Sequence, residues 1–125
     1  MNGELAAAFD VQMSMGLRPL AASRPDAAYT CFERAHVLGQ WHTIPHLRSH
    51  WGLLRVGWHR RDAREVVGQW MRLIAAAVAT PLGWVPPGNT GGARVSPWRP
   101  MPIDPAAQRL LRGDQRSARG LGRRS

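Results

Sequence analysis

The folds open to this chain are narrowed most by the spacing of its helix-boundary signals between residues 23 and 81. Ser23 followed by Pro25 and Asp26 marks a helix start: proline suits the first turn, where a backbone N–H has no partner, and a carboxylate suits the positive end of the helix dipole. Gly39 fits the left-handed position that closes a helix, so a first helix is predicted over about 24–38. Thr43 and Pro45 open a second, over about 44–59. Asp62 and Glu65 form a capping pair that opens a third, which Pro81 ends near Ala79. Links this short make consecutive helices antiparallel neighbours, so the fold class is all-α, an antiparallel helical hairpin extended by a third helix.

Apolar periodicity then assigns faces. In the first helix Ala28, Cys31, Phe32, Ala35 and Leu38 form the apolar side, opposite a stripe of Tyr29, Glu33, His36 and Gln40. Leu47, Trp51, Leu54 and Trp58 form the seam of the second helix, and Val66, Val67, Trp70, Leu73, Ile74 and Ala77 are expected to face inward in the third. Upstream, a helix from about Glu4 to Met15 is followed by a break at "GLRPL". Downstream, "TPLGWVPPGNTGGARVSPWRPMPIDP" holds too much proline and glycine for regular structure, and this long C-terminal segment is predicted to wrap back over the bundle. Trp84 and Trp98 either anchor it or form an exposed contact patch. "DPAAQRLLRG" reads as one further short helix. The division is an N-terminal segment, 1–22, a helical domain, 23–111, and a basic tail, 112–125.

The formal charge is +9, carried by arginine alone. Five of the 17 arginines lie in the tail against one acid, Asp114. A Gly/Arg/Ser tail without aromatics cannot bury enough surface to order itself and is expected to be disordered. Much of the excess charge is then a tail and not a shaped surface, which argues against nucleic-acid recognition and leaves weak, nonspecific binding through the tail as a subsidiary reading. The single cysteine, Cys31, excludes an internal disulfide and a thiolate zinc cluster, so any metal would rest on nitrogen and oxygen ligands. "MNGELAAAFDVQMSMG" lacks the basic start of a signal peptide, and the apolar run Leu73 to Val85 is short of the roughly 20 residues a membrane span needs. A cytoplasmic location is expected, with no membrane partner.

Four of the five histidines fall between residues 36 and 50. Glu33 and His36 are three apart and His46 and His50 four apart, and both spacings put side chains on one helical face. A turn centred near Trp41 sets His36 beside His46 and Glu33 close to His50. With helix axes about 8–10 Å apart, four inward-pointing side chains converge on one ion. Glu33, His36, His46 and His50 are therefore the candidate metal ligands, suited to zinc, iron, manganese or copper. A single Glu-x-x-His motif does not make a dinuclear centre without a homodimer or further acids. Whether such a site handles metal or catalyses a reaction is open. The competing reading keeps Phe32, Ala35 and Leu38 at the helix interface, leaves Glu33 and His36 in water, and makes the protein a metal-free interaction module docking a partner through Trp41, Trp84, Trp98 and its arginines.

The stretches "CFERAHVLGQWHTIPHLRSHWGLL", "GQWMRL" and "GWVPPGNTGGARVSPWRPMPI" together resemble a small bacterial domain family of unknown function. The resemblance implies a short helical protein and supplies no reaction. Within it, "GNTGGA" lacks the Lys-Ser/Thr of a phosphate loop and reads as a turn built from residues that tolerate positive φ. Cys31, on the apolar side, reads as a buried and inert thiol.

Overall fold

The computed structural model describes residues 1–122. It is all-α, with helices α1 (Gly3–Ala21), α2 (Pro25–Gly39), α3 (Thr43–His59), α4 (Ala63–Ala79) and α5 (Pro105–Gly122), and no strand among the described residues. Each of α1 to α4 packs against the next, as short links require, and α5 returns to α1 and α2. Asn2 caps α1 by accepting from the Leu5 N–H, and Asp62 caps α4 by accepting from the Glu65 N–H. No helix among the described residues is long and apolar enough to cross a membrane.

The core joins Leu5, Phe9, Met13 and Leu20 of α1 to Ala28, Phe32, Ala35 and Leu38 of α2, with Leu53 and Val56 of α3 and Ala107 and Leu111 of α5. Phe32 is fully buried, with Gly16 of α1 and Gly52 of α3 against its ring. A Cβ at either glycine would stand 2.6 or 2.7 Å from that ring, so the two glycines set how closely three helices approach. This accounts for the extent of α1, which continues through "GLRPL" where a break is expected: Gly16 is there for contact. Gly39 is also corrected. Its φ is not positive, and it instead makes room for Pro45 and Phe9, which a Cβ would meet at 2.8 and 2.9 Å.

Three further expectations are overturned. In α3 the buried residues are His46, Ser49, His50, Gly52, Leu53, Leu54, Val56 and Gly57, so of the expected seam Leu54 is buried, whereas Trp51 and Trp58 are exposed. In α4 the buried residues are Glu65, Gln69 and Ala76, while Val67, Trp70 and Ile74 face outward. Large apolar residues on these helices misled the periodicity because the interior of the α3–α4 pair is polar. Residues 112–122, read as disordered tail, continue α5: Leu111 and Asp114 are buried, and Asp114 accepts from the Asn2 N–H and pairs with His42 Nε2 at 2.7 Å. The rest of that tail, 123–125, lies outside the described residues.

The Pro/Gly-rich segment between α4 and α5 wraps back over α2 and α4 as expected. Gln40, with its amide oriented to donate to the Pro86 carbonyl (3.2 Å) and accept from the Gly88 N–H (3.0 Å), ties it to the end of α2. Trp84 and Trp98 are not anchors; both rings are exposed.

Candidate metal centre

Covering α2 from both sides decides the orientation of its polar stripe. α1 takes the Ala28–Phe32–Ala35 side, so His36 turns toward α3 and the Pro/Gly segment and is buried. His46 in the first turn of α3 and His50 one turn later meet it there, both buried. The three Nε2 atoms form a triangle: 2.9 Å between His46 and His36, 3.2 Å between His36 and His50, 3.1 Å between His50 and His46.

Each ring is held from behind through Nδ1. His36 Nδ1–H donates to the Asn89 carbonyl at 2.7 Å. His50 Nδ1 lies 2.7 Å from Gln69 Oε1, and since the Gln69 amide nitrogen donates to Glu65 Oε1 (2.7 Å) and to the Gly91 carbonyl (2.8 Å), the oxygen accepts from His50. His46 Nδ1 lies 2.7 Å from Thr80 Oγ1, at the C-terminal end of α4. Burial lowers all three imidazoles. It holds His36 well below the ordinary value, with the other two histidines adding to the effect. His46 is lowered to about 4 by burial, and His50 to about 3 by burial with His46 contributing. All three are neutral at pH 7, the state in which an imidazole ligates metal.

The "GNTGGA" loop supports this arrangement and is more than a turn. Asn89 is fixed by its side chain, which donates to the Ser96 and Arg99 carbonyls (2.7 and 2.8 Å) and accepts from the Gly91 N–H (3.0 Å). Gly91 has φ +81°, and a Cβ there would stand 2.6 Å from His36 Cδ2, so glycine is needed both for the backbone and for the approach to the ring.

The fourth residue of the expected set is not part of the trio. Glu33 lies one turn before His36, against Gly92 and lining a different hollow with Gln12 and Thr90. Burial raises its carboxyl above the usual range, the Glu65 charge adding to this. His36 lies beside His46, as a turn near Trp41 predicts, and it also takes the place beside His50 expected of Glu33. Gln69, Thr80, Asn89 and the buried Glu65 were not found from sequence. The i, i+4 pair Glu65 and Gln69, among small residues of α4, was the available signal, and it was hidden by the larger apolar residues on the other face.

One side of the trio opens into a cleft of about 430 Å³ between α4 and the Pro/Gly segment. Its walls include Met71, Arg72, Ala75, Ala79, Trp84, Pro97 and Trp98.

Fold and site together define a small helical protein with a buried three-histidine centre. The chain belongs to the family described as protein of unknown function (DUF3703), whose model matches residues 3–111. No curated protein and no solved structure matches it.

Proposed function

We propose that this protein binds one divalent transition-metal ion through the Nε2 atoms of His36, His46 and His50. The observation that carries the reading is the direction of the lone pairs. The Asn89 carbonyl and Gln69 Oε1 only accept, so His36 and His50 hold their protons on Nδ1 and present bare Nε2 atoms 3.2 Å apart. Two lone pairs at that distance repel unless an electrophile lies between them. A metal ion satisfies all three nitrogens at once. A proton on His46 Nε2 is the metal-free alternative, and it requires the Thr80 hydroxyl to donate to His46 Nδ1. Such a proton serves the His46 edges and leaves the bare His36 and His50 nitrogens facing each other at 3.2 Å, whereas one ion serves all three; tetrahedral nitrogens at about 2.0–2.1 Å from zinc stand about 3.3–3.4 Å apart, so the trio needs to open by no more than roughly half an ångström.

Three imidazoles, each steadied by a hydrogen bond behind it, suit zinc, iron, manganese or copper. Three protein ligands with a further position toward a cleft are the arrangement of a site that exchanges a ligand, whether in metal handling or in metal-dependent chemistry. A cytoplasmic setting accords with one unpaired cysteine. Elemental analysis of untagged protein offered Zn, Fe, Mn, Cu, Co and Ni tests the reading. One ion per chain is expected, falling to near zero in His36→Ala and His50→Ala; stoichiometry near zero in the parent protein overturns it.

A second reading rests on the outward face of α4, where Val67, Trp70, Ile74 and Val78 are all more than half exposed. A protein partner, or a second copy, docking there is compatible with the metal site. Loss of that association in Trp70→Ala and Ile74→Ser, with metal content unchanged, would establish it.

A further inference from the structure

The cleft in front of the histidines has its own composition, and that composition describes a ligand. Gly68, Met71, Arg72, Ala75, Ala76 and Ala79 line it from α4, recurring at the helical period. Four alanines and glycines among these six hollow out the wall. Facing them are the rings of Trp84, Pro86, Pro97 and Trp98. Polar groups are few. Asn89 is committed, since its side chain and carbonyl spend their bonds on Ser96, Arg99, Gly91 and His36. What remains is the histidine trio and the half-buried Arg72 guanidinium, which gives one N–H to the Val95 carbonyl.

From this placement we infer that the cleft binds an amphipathic organic anion, its carboxylate-type group on the metal ion beside Arg72 and its aliphatic or aromatic body along α4 between Trp84 and Trp98. The inference rests on the metal reading above. The sign of the charge follows from the site: three neutral imidazoles leave the charge of a divalent ion uncancelled, and Arg72 adds to it. The size follows from the volume, which is within the range of small-molecule sites. The apolar walls select against small hydrated anions, whose binding gains nothing from the rest of the cleft.

The experiment uses the full chain loaded with Co(II), whose visible spectrum reports the fourth ligand, together with the change in tryptophan fluorescence, to which Trp84 and Trp98 of the cleft contribute. Acetate, butanoate, hexanoate and 3-phenylpropanoate are titrated, with hexanamide as the neutral counterpart. Affinity is expected to rise about fourfold per added methylene, with a change in the Co(II) spectrum at saturation and hexanamide binding at least tenfold more weakly than hexanoate. Ala75→Phe, which adds bulk to the α4 wall and leaves the three histidines in place, should remove the chain-length gain and keep both cobalt stoichiometry and acetate affinity. Arg72→Gln should weaken every carboxylate and preserve the chain-length slope. Cobalt bound at one per chain with carboxylate affinity independent of chain length overturns this inference and leaves the metal reading standing. Equal affinity for hexanamide and hexanoate overturns the anion. Absence of cobalt binding removes the metal reading and this inference with it.

Discussion

At the scale of single residues, the three histidines are distinguished from the other two less by position than by what stands behind each ring. His42 pairs with Asp114 at 2.7 Å and takes no part in the trio. For His50 the support is two residues deep, Glu65 holding the Gln69 amide and Gln69 accepting from His50 Nδ1. Such partners fix tautomer and ring orientation, so Gln69→Leu is expected to lower metal affinity about 10–100-fold, measured by chelator competition on protein whose circular dichroism is unchanged. The depressed imidazole pKa values also predict how the metal-free protein responds to acid. In the unfolded chain these groups take up protons near 6.5, whereas in the folded chain His46 does so near 4 and His50 near 3, with His36 also well below its ordinary value. Below pH 6.5 the unfolded state therefore binds more protons, and stability is lost as pH falls from about 6.5 toward 3–4 and is complete above about 7. Denaturant unfolding across that range checks it; a flat profile contradicts it, and His50→Gln should shallow the slope.

Helices carry a different set of consequences. α2 is amphipathic by sequence, yet both its faces are buried, the apolar one under α1 and the polar one under α3 and the glycine-containing loop. That loop is held on α2 by Gln40 and His36, both from the polar stripe opposite the apolar side. α5 is closed onto α1 by a polar contact: Asp114 accepts from the Asn2 N–H and from His42. Burial works against its charge, but those donors prevail and hold the carboxyl below the usual carboxylate range. Asp114→Ala is expected to cost about 1–3 kcal/mol and to free the end of α5. Hydrogen exchange should show lost protection from Leu111 onward with metal stoichiometry unchanged; loss of metal as well would mean that α5 and the site are coupled. Helix positions were legible in advance, to within a few residues for α2, α3 and α4, because caps and prolines act locally. Helix faces were legible only for α2. In α3 and α4 tryptophan and isoleucine were read as interior, and the cleft and the histidine trio occupy that interior instead.

Across the whole chain, the proposed metal binding would be linked to folding, because the trio draws on α2 and α3 and its supports on α4 and the 86–93 loop. No unfolded chain holds those groups together, so metal at about 100 times its dissociation constant should add about 2.7 kcal/mol to unfolding. Thermal unfolding with and without metal, then with excess chelator, checks this; the gain should vanish in His46→Ala. Local chain signals and composition are enough to set the all-α class, the order of the central helices, the exclusion of a cysteine metal site and the pairing of His36 with His46. The cysteine argument needs only composition; the others depend on neighbours along the chain: capping, helical spacing and a three-residue turn. Long-range packing sets the rest: Glu33 stands apart, His36 is buried beside both other histidines, and Asn89, Gln69 and Thr80 aim the rings. The physical reason is that helix rotation is set by what covers each face, and α2 is covered by α1 and by a loop some fifty residues downstream, at sequence separations where periodicity carries no information.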